Sequence, residues 1–125
     1  MRLDKVWVVL GVVAVSSMAV RAEDEFKLHG DPDKGKETFK LYCAACHGET
    51  GHGDGLAAAA LDPKPRNLTD KEYMSGLSDK HIYTVIKDGG VAVGKSALMT
   101  AWGPLLKEEQ KVHDVAAYVR TLSAE

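Results

Sequence analysis

Residues 41–50 read LYCAACHGET and hold the chain's only two cysteines, three positions apart, with a histidine directly after the second. Two thiols and an imidazole at Cys43, Cys46 and His47 can bond a metal or a reactive carbon, so their spacing narrows the chemistry to a few cases. A disulfide between the cysteines would close a four-residue loop, which restrains little of the unfolded chain and makes a weak staple. Zinc asks for four protein ligands in a structural site, and no second cysteine pair exists. A thioredoxin-like redox pair belongs among alternating strands and helices, and no alternating run of β-branched residues occurs.

The elements that must position this trio are legible from caps and periodicity. Asp31-Pro32 pairs an N-cap with proline at the first helical position, so a helix is predicted from there. On its wheel Gly35, Phe39, Tyr42, Cys43 and Cys46 recur at helical spacing, which puts both sulfurs on the face of the aromatic contacts. The stretch GETGHGDGLAAAALDPKPRNL then reads as a long glycine- and proline-rich loop with one short turn of helix in the alanines. Thr69 with Glu72 fits a capping box for a short helix through Ser75, stopped by Gly76. Ser78 caps a helix with an Ile82, Val85 and Ile86 stripe, ended at Gly89-Gly90. After a second loop, VAVGKSALMTAWGP, a last helix is predicted from about Lys107 to Leu122, with Val112, Val115, Ala116, Val119 and Leu122 on one face and a poor cap at Lys107. The fold class read from this pattern is all-α with two long loops.

The opening, MRLDKVWVVLGVVAVSSMAVRA, differs from the rest. Basic residues at Arg2 and Lys5, an apolar run from Val6 to Val20 and small residues at Val20 and Ala22 read as an export signal over residues 1–22, with an uncleaved anchor as the alternative. Without a cysteine in this opening, a lipid anchor is not expected. One domain then occupies residues 23–125, in a periplasmic or otherwise exported, oxidising compartment. The whole chain has a net charge of −2, which offers no basic footprint for nucleic acid. Export also bears on the cysteine pair, because a weak staple in an oxidising compartment favours a chemical role for it.

A domain of roughly 100 residues, with over a third of it in loops, has a thin apolar core for its size. A prosthetic group would fill the middle. Two thiols three apart on one helical face can each add across a vinyl group of haem, and the adjacent imidazole can then turn onto the iron. Cys-x-x-Cys-His is the attachment signature of c-type haem.

With these features the chain resembles the class I c-type cytochromes, the small monohaem bacterial kind, over nearly all of residues 23–125. The resemblance implies a class I cytochrome c fold, three to five helices wrapped around one covalently attached haem c. Gly35 and Phe39 on the first helix would cross Val115 and Tyr118 on the last. Cys43 and Cys46 would carry the thioether bonds and His47 would bind iron. CHGETGHGDGLA is similar to the family's glycine-rich segment after the attachment site, and DPKPRNLTD to its proline-bearing wall, with Pro65 packed on the proximal side. MTAWG resembles the family's ligand loop of methionine, proline, any residue and an aromatic, with Thr100 in the proline position. Met99 is therefore the implied sixth ligand, giving His/Met axial ligation, and Trp102 a wall or propionate contact.

Met74, inside the short capped helix, reads instead as a core gap-filler. His52, between two glycines, is a rival ligand, while His29, His81 and His113 are expected at the surface. His/Met iron is six-coordinate and closed, so the resemblance implies an outer-sphere electron carrier with no acid, base or nucleophile. Its partners would be redox proteins met by a monomer in transient complexes. The alternatives are a haem subunit or domain of a larger oxidoreductase, and a haem sensor or catalyst with a displaceable sixth ligand. Without residues 1–22, 13 basic and 17 acidic residues remain, yet Lys64, Arg66 and Lys95 fall in the two loops expected to flank the haem. A locally positive docking rim on an acidic protein is the expectation.

Overall fold

A computed structural model describes residues 25–124; the export signal read at residues 1–22 lies outside them. All regular structure among the described residues is helical, in the order α1 (Pro32–Tyr42), α2 (Ala44–His47), α3 (Lys71–Ser75), α4 (Asp79–Asp88), α5 (Gly103–Leu106) and α6 (Glu109–Thr121), with 3₁₀ turns at Leu56–Ala60 and Gly90–Val93. Four helices exceed a single turn, within the expected number. The 3₁₀ turn at Leu56–Ala60 is the short helical turn expected in the alanines.

Helix α1 starts as its sequence dictates. The Asp31 carboxylate accepts from the Asp33 and Lys34 amides at 3.0 and 3.5 Å, and Pro32 occupies the first turn where no amide is needed. The helix does not run unbroken through the cysteines. At Cys43 the backbone bends (φ −111°, ψ −31°) and resumes as α2; Tyr42 is 44% exposed, yet it borders the same cavity as Cys43 and Cys46, as the shared face predicts.

The core is the crossing of α1 on α6. A Cβ built on Gly35 would overlap the Asp114 carbonyl, so only glycine lets the two backbones approach this closely. One turn on, Phe39 is 1% exposed and meets the Tyr118 ring edge-on at 5.2 Å between centroids. Val112, Val115, Ala116 and Val119 form the buried stripe of α6, as their periodicity predicts.

Helix ends correct the sequence reading in three places. The N-cap of α3 is Asp70, whose carboxylate accepts from the Tyr73 amide at 3.1 Å; Thr69 instead donates its hydroxyl to Asn67 Oδ1 at 2.7 Å, which removes it from the expected capping box. Lys107 does not open the last helix. It closes α5 in the left-handed region (φ 62°), and α6 begins two residues later from Glu108, which makes no side-chain cap bond. The single turn Gly103–Leu106 is too short to produce a periodic signal, which is why it read as loop. Ser78, by contrast, caps α4 as expected, accepting from the His81 amide at 3.1 Å, and Gly89 (φ 85°) ends it.

The lead-in before α1 is packed structure. Phe26 and Leu28 lie against the core, the Asp31 amide donates to Asp114 Oδ1 at 2.8 Å, and Gln110 donates to the His29 carbonyl at 3.2 Å. His113, expected at the surface, is 5% exposed beneath this strap, with the His29 ring 3.6 Å and the Tyr83 ring 4.5 Å away. Burial by a segment distant in sequence is invisible to the periodicity of α6 alone.

Candidate functional site

The α1–α6 crossing occupies one part of the molecule; beside it, α2, α3, α4 and the loops enclose a cavity of about 370 Å³. Its lining is mainly apolar, with Phe39, Leu61, Leu68, Met74, Ile82, Val85, Ile86, Val115 and Val119. Every residue singled out for chemistry also borders it: Cys43, Cys46, His47, Pro65, Met99 and Trp102. A mainly apolar concavity of this size, with a few polar groups converging on it, has the form of a ligand or cofactor site.

The attachment residues come from the bend between α1 and α2. Both cysteines are half-buried and free of any disulfide. Burial, and then the neighbouring Cys46, push the Cys43 thiol up to about 12, so it is a protonated thiol at neutral pH. Redox-active Cys-x-x-Cys pairs depend on a lowered thiol pKa, and the shift here is in the opposite direction. Nor do three His, Cys, Asp or Glu side chains converge as a metal cluster among the described residues. The pair suits attachment to a carbon skeleton better than either rival.

His47 is oriented by the loop that follows. Its Nδ1 lies 3.2 Å from the Arg66 carbonyl, an acceptor, which assigns the proton to Nδ1 and leaves the Nε2 lone pair free to bind a metal. Burial holds the imidazole pKa below its ordinary value, although the bond to Arg66 works the other way, so the ring is neutral and competent as a ligand. The carbonyl is in place because Pro65 and Arg66 belong to the cavity wall. Arg66 is held over the Tyr73 ring at 3.4 Å and pairs with Asp70 at 3.7 Å.

Met99 sits on the second loop, which is tied back to α4 at two points. The Gly90 amide donates to the Met99 carbonyl at 2.9 Å, and the Trp102 amide donates to the Ile86 carbonyl at 2.9 Å. A side chain at Gly90 would overlap the Ser96 carbonyl, so glycine is needed for the 3₁₀ turn to lie against the loop. Trp102 then caps α5 and packs on the Tyr42 ring, 5.7 Å between centroids, at the cavity's edge. Met74 also borders the cavity but is 1% exposed inside the apolar cluster, as a packing residue should be.

Among the other histidines, His52 is exposed, accepts or donates at 2.8 Å with the Thr50 hydroxyl, and does not line the cavity. His29 is exposed, as expected. His81 is not a plain surface residue: it is half-buried and borders the cavity. It lies next to Ile82 at the margin of the apolar stripe, a position the stripe alone does not assign. The expected rim residues Lys64, Arg66 and Lys95 are all exposed and border the cavity. Lys64 donates to the Ala58 and Ala59 carbonyls at 2.8 and 3.0 Å, closing the 3₁₀ turn, Arg66 is stacked and paired, and Lys95 has no partner among the described residues.

This all-helical wrap around one cavity, with Cys-x-x-Cys-His on its wall, defines a haem-binding class, and residues 32–123 match the cytochrome c family. The chain belongs to that family. It is 34% identical over 89 residues to the cbb3-type cytochrome c oxidase subunit FixP of Azorhizobium caulinodans, covering 71% of this chain and 26% of that protein. It is 37% identical over 89 residues to the cbb3-type cytochrome c oxidase subunit CcoP of Rubrivivax gelatinosus, covering 71% and 25%. The chain thus spans about a quarter of the length of these relatives. Among solved structures, a chain of a reducing HAO-like protein complex of Kuenenia stuttgartiensis superposes with a TM-score of 0.60 at 29% identity, over 78% of this chain and 45% of that one. The expected class I cytochrome c fold stands, and family membership implies covalently bound haem c and a role in electron transport. No helix among the described residues is long and apolar enough to cross a membrane.

Proposed function

We propose that this chain is a monohaem electron-transfer domain in which Cys43 and Cys46 hold the haem, and His47 and Met99 bind the iron. The observation that carries this reading is that all four side chains border one otherwise apolar cavity. Haem c supplies a one-electron ferric/ferrous couple. The protein's residues do the rest. His47, its Nδ1 engaged by the Arg66 carbonyl, presents Nε2 in a fixed orientation. The Met99 thioether favours the ferrous state and raises the potential. Ile82, Val85, Ile86, Val115 and Val119 exclude water. With His47 and Met99 as the ligands the site would be closed to small molecules, and electron exchange would take place at its edge, with no group on the chain acting as acid, base or nucleophile.

The chain docks redox partners at the cavity's edge. There Tyr42 and Trp102 pack together, and the exposed Leu41 and Leu105 continue the apolar surface. The export expected from residues 1–22 places this exchange in the periplasm or beyond. A second reading, a permanent haem subunit of a larger oxidoreductase, is favoured by the two oxidase subunits among its relatives. Absorption spectra of the purified protein in both redox states, with carbon monoxide added to the reduced form, test the proposal. A c-type spectrum, a sulfur-to-iron charge-transfer band and negligible carbon monoxide binding are expected. A five-coordinate spectrum with rapid carbon monoxide binding would replace the carrier with a sensor or catalyst.

A further inference from the structure

One side chain outside the cavity lining ties three of its walls together. Arg120, in the last turn of α6, directs all three guanidinium nitrogens inward. Nε donates to Asp79 Oδ1 at 2.7 Å, Nη1 to the Met74 carbonyl at 2.7 Å, and Nη2 to the Leu77 carbonyl. Each acceptor belongs to a different part of the enclosure. Met74 and Leu77 border the cavity from α3 and the turn after it, and Asp79 opens α4, whose Ile82 and Ile86 form another stretch of wall. Arg120's own neighbour Val119 lines it from α6.

The chemistry of this contact is specific to arginine. A planar fork with fixed donor directions can meet two carbonyls and a carboxylate at once, where an ammonium acts as a point charge. The Met74 carbonyl takes one bond from the Leu77 amide at 3.2 Å, which closes the turn after α3, and the guanidinium adds a second bond from outside the segment together with one to the Leu77 carbonyl. At 29% side-chain exposure the Arg120 charge is partly withdrawn from water, which strengthens its bonds to all three acceptors.

We propose that Arg120 is a positioning residue for the electron-transfer site: it holds the Met74–Asp79 segment closed against the cavity, and so governs water and small-ligand entry beside the haem. The inference rests on the haem-domain reading above. Without the guanidinium, the Met74 carbonyl is left with only the local Leu77 amide, the Leu77 carbonyl and the Asp79 carboxylate lose the bond that ties them to α6, and the segment opens locally more often. Water admitted beside the iron favours the more highly charged oxidised state, so the potential falls.

The test compares Arg120→Gln with Asp79→Asn in the holoprotein. Arg120→Gln is expected to speed hydrogen exchange at the Leu77 amide on the order of tenfold, to speed imidazole capture by the oxidised protein by a similar factor, and to lower the potential. Asp79→Asn keeps both carbonyl bonds and should change each by less than about twofold. Should Arg120→Gln lower the melting temperature while Leu77 exchange, imidazole capture and potential stay at wild-type values, Arg120 is only a general stabiliser and the proposal is overturned. Should Arg120→Gln fail to fold, native-state exchange of the wild type decides. A Leu77 amide exchanging within about threefold of the Val119 amide supports one closed unit, and one exchanging about a hundredfold faster overturns it. Absence of a c-type spectrum would sink the haem reading; the Leu77 exchange measurement reads the clamp separately.

Discussion

Where α1 crosses α6, Gly35 lets the backbones meet and Phe39 packs edge-on against Tyr118; beside it, α2 to α4 and two loops border a cavity of about 370 Å³. The crossing is made by residues about 80 apart in sequence on two regular helices, and its energy is side-chain packing. The cavity region is made of α4, two shorter helices and loops, held by backbone and arginine hydrogen bonds. On the proposed reading this second region leans on the haem that Cys43 and Cys46 would attach, so that attachment would serve the fold as well as the chemistry.

The largest effect should come from removing that attachment. Cys43→Ser with Cys46→Ser should release the haem to acid-acetone extraction and leave the chain largely unfolded by circular dichroism, because the apolar side chains around the cavity would then lose the surface they pack on. A folded, haem-free double variant would show that the cavity region stands as well as the crossing does. In the packed region, Gly35→Val must push α1 off the Asp114 carbonyl. Denaturant titration should show a loss of about 3 kcal/mol or more with the haem spectrum retained.

Within the cavity the two methionines separate the regions again. Met99→Ala abolishes the sulfur-to-iron charge-transfer band and lowers the potential, with carbon monoxide binding now rapid. Met74→Ala costs about 2–5 kcal/mol of packing and leaves the band in place. The reverse pattern would transfer ligation to Met74.

A smaller effect is expected from pH at the strap beneath α1. Burial, and then the adjoining His29, hold the His113 pKa below 6.5, while Glu109 and Asp114 pull upward and Lys87 downward; Tyr83 completes the enclosure. The unfolded chain therefore binds that proton more tightly, so stability falls as pH drops below 6.5 and levels off once pH lies under the lowered folded value. Urea midpoints at pH 7.5 and about 5.5 should differ in the wild type and converge in His113→Phe. The smallest effect is on docking. Lys95→Glu should slow electron transfer to the redox partner several-fold in stopped-flow at low salt, with the potential unchanged, because steering acts on association. Lys64 and Arg66 also hold contacts in the cavity wall, so Lys95 is the rim charge that can be reversed without loosening that wall.

What the sequence determined by itself is the part written in local patterns. Asp31-Pro32, Ser78 and Gly89 bound their helices through bonds made within a few residues. The stripe of α6 follows from its period, and Cys43, Cys46 and His47 from a spacing that few chemistries require. The meeting of Met99, Pro65 and Trp102 at one cavity was foreshadowed only through resemblance, since a loop carries no periodic signal. Tertiary structure decided the rest, where partners meet across long separations. The burial of His113 under residues 26–29, the arrival of His81 at the cavity and the reach of Arg120 to Met74, Leu77 and Asp79 are contacts of this kind. The physical reason is that a side chain's solvation and hydrogen-bond partners are set by whatever packs against it, and that neighbour is not encoded in its own segment.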